Sequence, residues 1–156
     1  MRVFGTSFFQ GGCRMTPHVT GYIPREERDL FERIVHIVRE LPDIDLGTDE
    51  KGRAVPMSCH IITRALGQVF FLQYKDGYFC DRYCHTWLLT PAGHIIDPYP
   101  VATLGGPILM EALQVLSPAH RLYKTKNGRD ISRGVFSTPW FRRSVERTVR
   151  AIRLIL

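Results

Sequence analysis

Apolar residues return every three or four positions in three stretches of the chain, a period that predicts helices with one buried face. From Pro24 to Leu41 the stripe is Leu30, Ile34, Ile37, Val38 and Leu41, with Pro24 near the first turn and Glu26 and Glu27 at the positive end of the helix dipole. In MSCHIITRALGQVFFLQYK the stripe is Ile62, Leu66, Val69 and Phe70, and Pro56 and Ser58 mark the start of a helix whose end, Val69-Phe70-Phe71, has some strand character. At the far end Thr138 and Pro139 open a helix through Leu156, with Phe141, Val145, Val149, Ile152 and Leu156 on one side and Arg143, Arg147 and Arg150 on another.

The period changes in RYCHTWLLTPAGHIIDPYP. Apolar segments from Tyr83 to Leu89 and from Ile95 to Ile96 flank the turn residues Thr90, Pro91, Ala92 and Gly93, so a hairpin is expected. A three-residue loop that pairs Thr90 with His94 also pairs Trp87 with Asp97. It leaves His85 diagonal to Asp97 on the same face, whereas a one-residue slip would put them on opposite faces. Pro98 should end the second strand. Further on, VATLGGPILMEALQVL predicts a turn at Gly105 and Gly106 and a short helix from Pro107 to Leu116, HRLYKT predicts a third strand, and KNGRDISRG a loop. Pro42 to Arg53, with Asp43, Asp45, Asp49 and Glu50, reads as a polar connection in preference to a lid.

Three residues fall on this framework in a chemically meaningful order: Cys59 in the first turn of the middle helix, His85 on one hairpin strand and Asp97 on the other. A thiol near the positive end of a helix dipole has its pKa drawn down from about 8.5, which favours the nucleophilic thiolate. An imidazole to take its proton and a carboxylate to orient the imidazole complete a cysteine nucleophile site. Each residue also has a plain structural reading: Cys59 as a small apolar filler, His85 as a satisfied core group, Asp97 as a turn cap. The joint order and the shared strand face favour the catalytic reading. His60, about 100° around the helix from Cys59, is expected at the surface or behind the reacting groups and not as the base. Ser58 and Trp87 are expected beside the site, with Trp87 packing on the Cys59 helix. Gln10 is a less favoured candidate for an oxyanion donor.

Cys80, Cys84, His85 and His94 are zinc-ligand types, but Cys84 and His85 are adjacent and should point to opposite faces of a strand, so no metal site and no cofactor is expected. The strings SCHIITRAL, CHTWLL and GHIIDPYP, taken together, resemble the core of the transglutaminase-like branch of the papain-like cysteine enzymes. That branch includes peptidases, leader peptidases of lasso-peptide biosynthesis and acyltransferases. The resemblance covers roughly Pro56 to Pro100. It implies an α+β fold in which the nucleophile-bearing helix packs on a small antiparallel sheet, with Cys59, His85 and Asp97 as the triad and the N- and C-terminal helices flanking the core.

At 156 residues and 44% hydrophobic, the chain has the size and composition of one domain over 1–156. From Arg121 onward ten Lys and Arg face only Asp130 and Glu146, so the tail carries more than the whole net charge of +6. Without a recognised nucleic-acid motif this reads as a solvated helix face more readily than as a nucleic-acid patch. No apolar run reaches the roughly 18 residues of a membrane span. Gly5, Thr6, Ser7 and Gln10 interrupt the N-terminal apolar residues, so no export signal is expected and the cytoplasm, with reduced cysteines, is the expected location. The expected function is a thiol-dependent hydrolase, a cysteine peptidase or amidase acting on a peptide or protein substrate through a thioester. The alternatives are an acyltransferase with the same triad and a non-catalytic module binding through the basic C-terminal helix.

Overall fold

In the computed structural model the described residues are 18–80, 82–99, 106–111, 123–125 and 133–156. They form a mixed α+β fold in which one six-stranded sheet carries helices on one face. The strands are β1 (His18–Thr20), β2 (Gln73–Phe79), β3 (Tyr83–Leu89), β4 (Ile95–Asp97), β5 (Ile108–Met110) and β6 (Tyr123–Thr125). The helices are α1 (Arg25–Glu40), α2 (Cys59–Phe70), α3 (Arg133–Phe136) and α4 (Pro139–Ile155).

The spatial order is β1-β5-β4-β3-β2-β6, antiparallel except for the parallel pair β1–β5. The small antiparallel sheet expected from the sequence is therefore a larger, mixed one. Between β1 and β5 the chain passes through two helices and three strands, and a connection of that length permits parallel pairing where a hairpin does not. Two further expectations are corrected. The helix anticipated from Pro107 is strand β5 over Ile108–Met110, its later residues lying outside the described ones. Gln73–Phe79, which gave no strand signal, is the long strand β2.

The amphipathic helices form where the apolar period places them. On α1 the residues Phe31, Ile34, Val35, Ile37 and Val38 are buried, and on α4 Phe141, Val145, Val149 and Ile152. Helix α2 packs against both α4 and β3 and buries every residue from Ile61 to Gly67, so its period describes only part of its environment. Ser58 caps α2 by accepting from the Ile61 N–H, and Phe71, at φ 55, ends it in the left-handed conformation with its N–H on the Gly67 carbonyl. One apolar cluster joins these helices to Leu88, Ile96 and Leu109. A second gathers Phe79, Trp87, Ile95, Ile108, Met110 and Tyr123 on the other face of the sheet. Pleating sorts neighbouring strand residues to the two sides. Trp87 therefore lies away from α2 and not against it, contrary to the sequence expectation.

The connection from Pro42 to Arg53 is tied down. Ser144 donates to the Leu46 carbonyl, Arg147 to that of Asp45, and Asp49 accepts from the Lys51 and Arg53 N–H groups. No helix among the described residues is long and apolar enough to cross a membrane.

Candidate active site

The β3–β4 hairpin adopts the register that its turn residues imply. Thr90 N–H bonds the His94 carbonyl, Gly93 takes φ 85 and donates to the Thr90 carbonyl, and Leu88 faces Ile96. His85 and Asp97 consequently share a face. His85 Nε2 donates to Asp97 Oδ2 at 2.7 Å, and both side chains are buried, at 1% and 0% exposure. Tyr123 O–H, from β6, donates to the same oxygen at 2.7 Å, and the Tyr99 N–H donates to Oδ1 at 3.1 Å. Asp97 is thus held on both oxygens, and with Nε2 committed to it the remaining ring nitrogen, Nδ1, is the one free to serve the thiol.

Around His85 stand the rings of Phe79, Trp87 and Tyr123, with centroids 5.8, 6.4 and 6.3 Å away. The close fit explains Gly77, which pairs with His85 across β2 and β3. A Cβ there would stand 2.2 Å from the Lys124 carbonyl oxygen and 2.5 Å from the Trp87 ring. Gly77→Ala is expected to cost about 2 kcal/mol, the scale of an overpacked core, and to lower the melting temperature by about 5 °C. An unshifted thermal melt would count against this packing.

Cys59 begins α2 and is partly exposed. The body of α2 covers the face of the sheet opposite His85. The start of α2 nonetheless brings the Cys59 thiol within interaction range of the His85 imidazole. Burial would raise the thiol pKa, but hydrogen bonds and charge from His60 and His85 outweigh it and bring it down to about 6. Burial likewise disfavours a charged His85, and the Asp97 carboxylate, followed by Cys59, overcomes this and raises it to about 10. Between these values the favoured state is a thiolate beside an imidazolium. Tyr99, in the chain just after β4, has its phenol raised by burial and by the Cys59 charge.

Tyr123 and Tyr99 went unnoticed in the sequence; the only signal for Tyr123 was its place in an expected strand. Burial and the Asp97 charge raise the Tyr123 phenol far above its ordinary value, so it stays a hydrogen-bond donor. Cys84 and His85 point to opposite faces, His94 pairs with Glu27 of α1, and Cys80 is exposed. Among the described residues no group of three or more His, Cys, Asp or Glu side chains is arranged to hold a metal ion. Gln10 and Cys13 lie outside the described residues. No protein-family model, curated protein or solved structure matches this chain.

Proposed function

We propose that the protein is a thiol-dependent hydrolase, a cysteine peptidase or amidase with a transglutaminase-like core, in which Cys59 is the nucleophile, His85 the acid and base, and Asp97 the group that orients His85. The observation that carries this reading is the buried Asp97–His85 hydrogen bond of 2.7 Å beside a helix-start thiol. In the first half-reaction the Cys59 thiolate attacks the amide carbonyl carbon, forming a C–S bond while the carbonyl electron pair moves to oxygen. The Cys59 N–H, at the first residue of α2, donates to that oxygen. Collapse breaks the C–N bond, and the departing amine takes its proton from His85. Water then attacks the thioester and gives a proton to His85, and the thiolate leaves with release of the acid. Asp97 fixes the ring and its charge throughout.

A peptidyl vinyl sulfone tests the reading, because its addition needs both a thiolate and a proton donor for the neighbouring carbon. Mass spectrometry should find Cys59 modified well before Cys13, Cys80 and Cys84, and His85→Ala should slow the addition by at least about 100-fold, the scale of general acid–base catalysis. The rate should rise with pH through about 6 as Cys59 ionises and fall through about 10 as His85 loses its proton. Equal labelling of the cysteines, or an unchanged rate in His85→Ala, would refute it.

A further inference from the structure

A second imidazole meets the Cys59 sulfur. His60, expected at the surface or behind the reacting groups, has a side chain only 17% exposed, stands next to Cys59 at the start of α2 and interacts with its thiol. Its orientation is determined by a chain of polar groups on the helix-facing side of the sheet. Thr86 donates its hydroxyl hydrogen to Asp76 Oδ1 at 2.6 Å, so its oxygen is left to accept, and His60 Nδ1 donates to it. Arg64 supplies the other donor to Thr86 at 3.3 Å and grips both Asp76 oxygens at 2.9 and 2.8 Å. Phe136 of α3 packs on the His60 ring with a centroid separation of 4.9 Å. With Nδ1 spent on Thr86, Nε2 is the nitrogen left for the Cys59 and Cys84 thiols.

The groups around His60 are Cys59 and Arg64 from its own helix, Asp76 from β2, Cys84 and Thr86 from β3, and Phe136 from α3. Thr86 and His85 are consecutive on β3 and point to opposite faces. One serves an Asp76–Thr86–His60 relay and the other belongs to the Asp97–His85 pair. Both relays end on the same sulfur.

Resting on the proposed role of Cys59 as nucleophile, we infer that His60 is a second catalytic imidazole, oriented by Thr86 and Asp76, that holds Cys59 as a thiolate independently of His85. The division of labour follows from the geometry. His85, backed by a fully buried carboxylate, moves the proton to and from substrate. His60 donates to sulfur, keeping the thiolate in place while the His85 proton is away and making it a better leaving group when the thioester is hydrolysed. Burial opposes a charged His60, and the Cys59 and Cys84 thiols outweigh this and raise it to about 9, so it retains its donor across the working range.

Iodoacetamide tests this in the full chain, because its displacement reads thiolate alone and needs no proton donor. The rate of Cys59 alkylation, followed by peptide mass spectrometry, should have a midpoint near pH 6 in the wild type. In His85→Ala it should stay below that of an ordinary thiol, about 8.5, although vinyl sulfone addition is lost. His60→Ala should move the midpoint up by about one pH unit, leaving alkylation about fivefold slower at pH 6 and little changed at pH 9. Thr86→Val should shift it in the same direction, and Thr86→Ser, which keeps the hydroxyl, should restore the wild-type midpoint. The Thr86 pair also decides the matter if His60→Ala does not fold. A wild-type midpoint in both His60→Ala and Thr86→Val overturns the inference while leaving the Cys59–His85 reading intact. A wild-type protein that itself titrates near 8.5 overturns both.

Discussion

Asp97→Ala is expected to lower the rate of vinyl sulfone addition at Cys59 by about 10⁴-fold, the scale seen when the orienting carboxylate of a nucleophile–histidine pair is lost. The size of the effect follows from burial. Asp97 is wholly inaccessible to solvent, and its two oxygens receive His85, Tyr123 and the Tyr99 N–H. Its removal leaves three donors without an acceptor and an imidazolium without its counter-charge, a loss of about 3–5 kcal/mol in stability as well as in reactivity. The pH dependence is distinctive. His85 is raised from 6.5 to about 10, so its contribution to stability is fully present below 6.5 and is lost as the pH rises through about 10. Cys59 is lowered from 9.0 to about 6, so its contribution is present above 9 and is lost as the pH falls through about 6. The gap in melting temperature between wild type and Asp97→Ala should therefore be wider at pH 6.5 than at pH 9.5. Addition at the wild-type rate, or a gap that widens toward pH 9.5, would contradict the assigned pairing.

What the sequence made legible is local and periodic. The α1 and α4 helices follow from apolar stripes, and the hairpin register follows from Pro91, Ala92 and Gly93, which allow one pairing of Thr90 with His94. That register is what puts His85 beside Asp97. The misses share a physical cause. Ile108–Met110 is three apolar residues, too short to separate period two from period 3.6, and Pro107 before it imitates the first turn of a helix. In β2 the segment QYKDGYF is exposed over its first three residues, so alternation appears only near Phe79. The side on which Trp87 packs is not legible either, because the chain alone does not tell which face of a strand a helix will cover. His60 and Tyr123 were missed or underrated for a different reason. A buried polar residue is explained only by its partners, and Tyr123 lies 26 residues from Asp97, as His60 does from Thr86.

The two relays place different demands on the protein. The Asp97–His85 pair lies within one hairpin and a second apolar cluster, where Phe79, Trp87 and Tyr123 exclude water and strengthen its electrostatics. His60 is supported instead from across the interface between α2 and the sheet, by Thr86 and Asp76, so its position depends on how α2 docks. Distortion of that docking should disturb the His60 relay before it disturbs the hairpin.

Arg64 governs that docking, and Arg64→Ala is expected to destabilise the protein by about 3 kcal/mol, lowering its melting temperature by about 8 °C. The Arg64 side chain is 9% exposed in the middle of α2, and its Nη2, which donates to both Asp76 oxygens, joins the helix to β2. Its guanidinium carbon also lies 4.6 Å from the Tyr74 ring centroid, 4.1 Å from that of Phe136 and 5.6 Å from that of Phe141, linking α2 to β2, α3 and α4. Asp76 retains 26% exposure, which lets water reach the orphaned carboxylate and holds the cost to the lower end of the range for a broken buried pair. Arg64→Lys should recover only part of the loss, since a single ammonium can neither reach Asp76, Thr86 and the His60 carbonyl together, as Nη2 and Nη1 do, nor stack flat on the rings. Because Thr86 then loses one donor and Asp76 its counter-charge, the Arg64→Ala protein should also show a raised midpoint for Cys59 alkylation, in the same direction as Thr86→Val. A melting temperature within 2 °C of wild type, on the scale of about 2–4 °C per kcal/mol for a chain of this length, would mean that apolar packing alone docks the Cys59 helix.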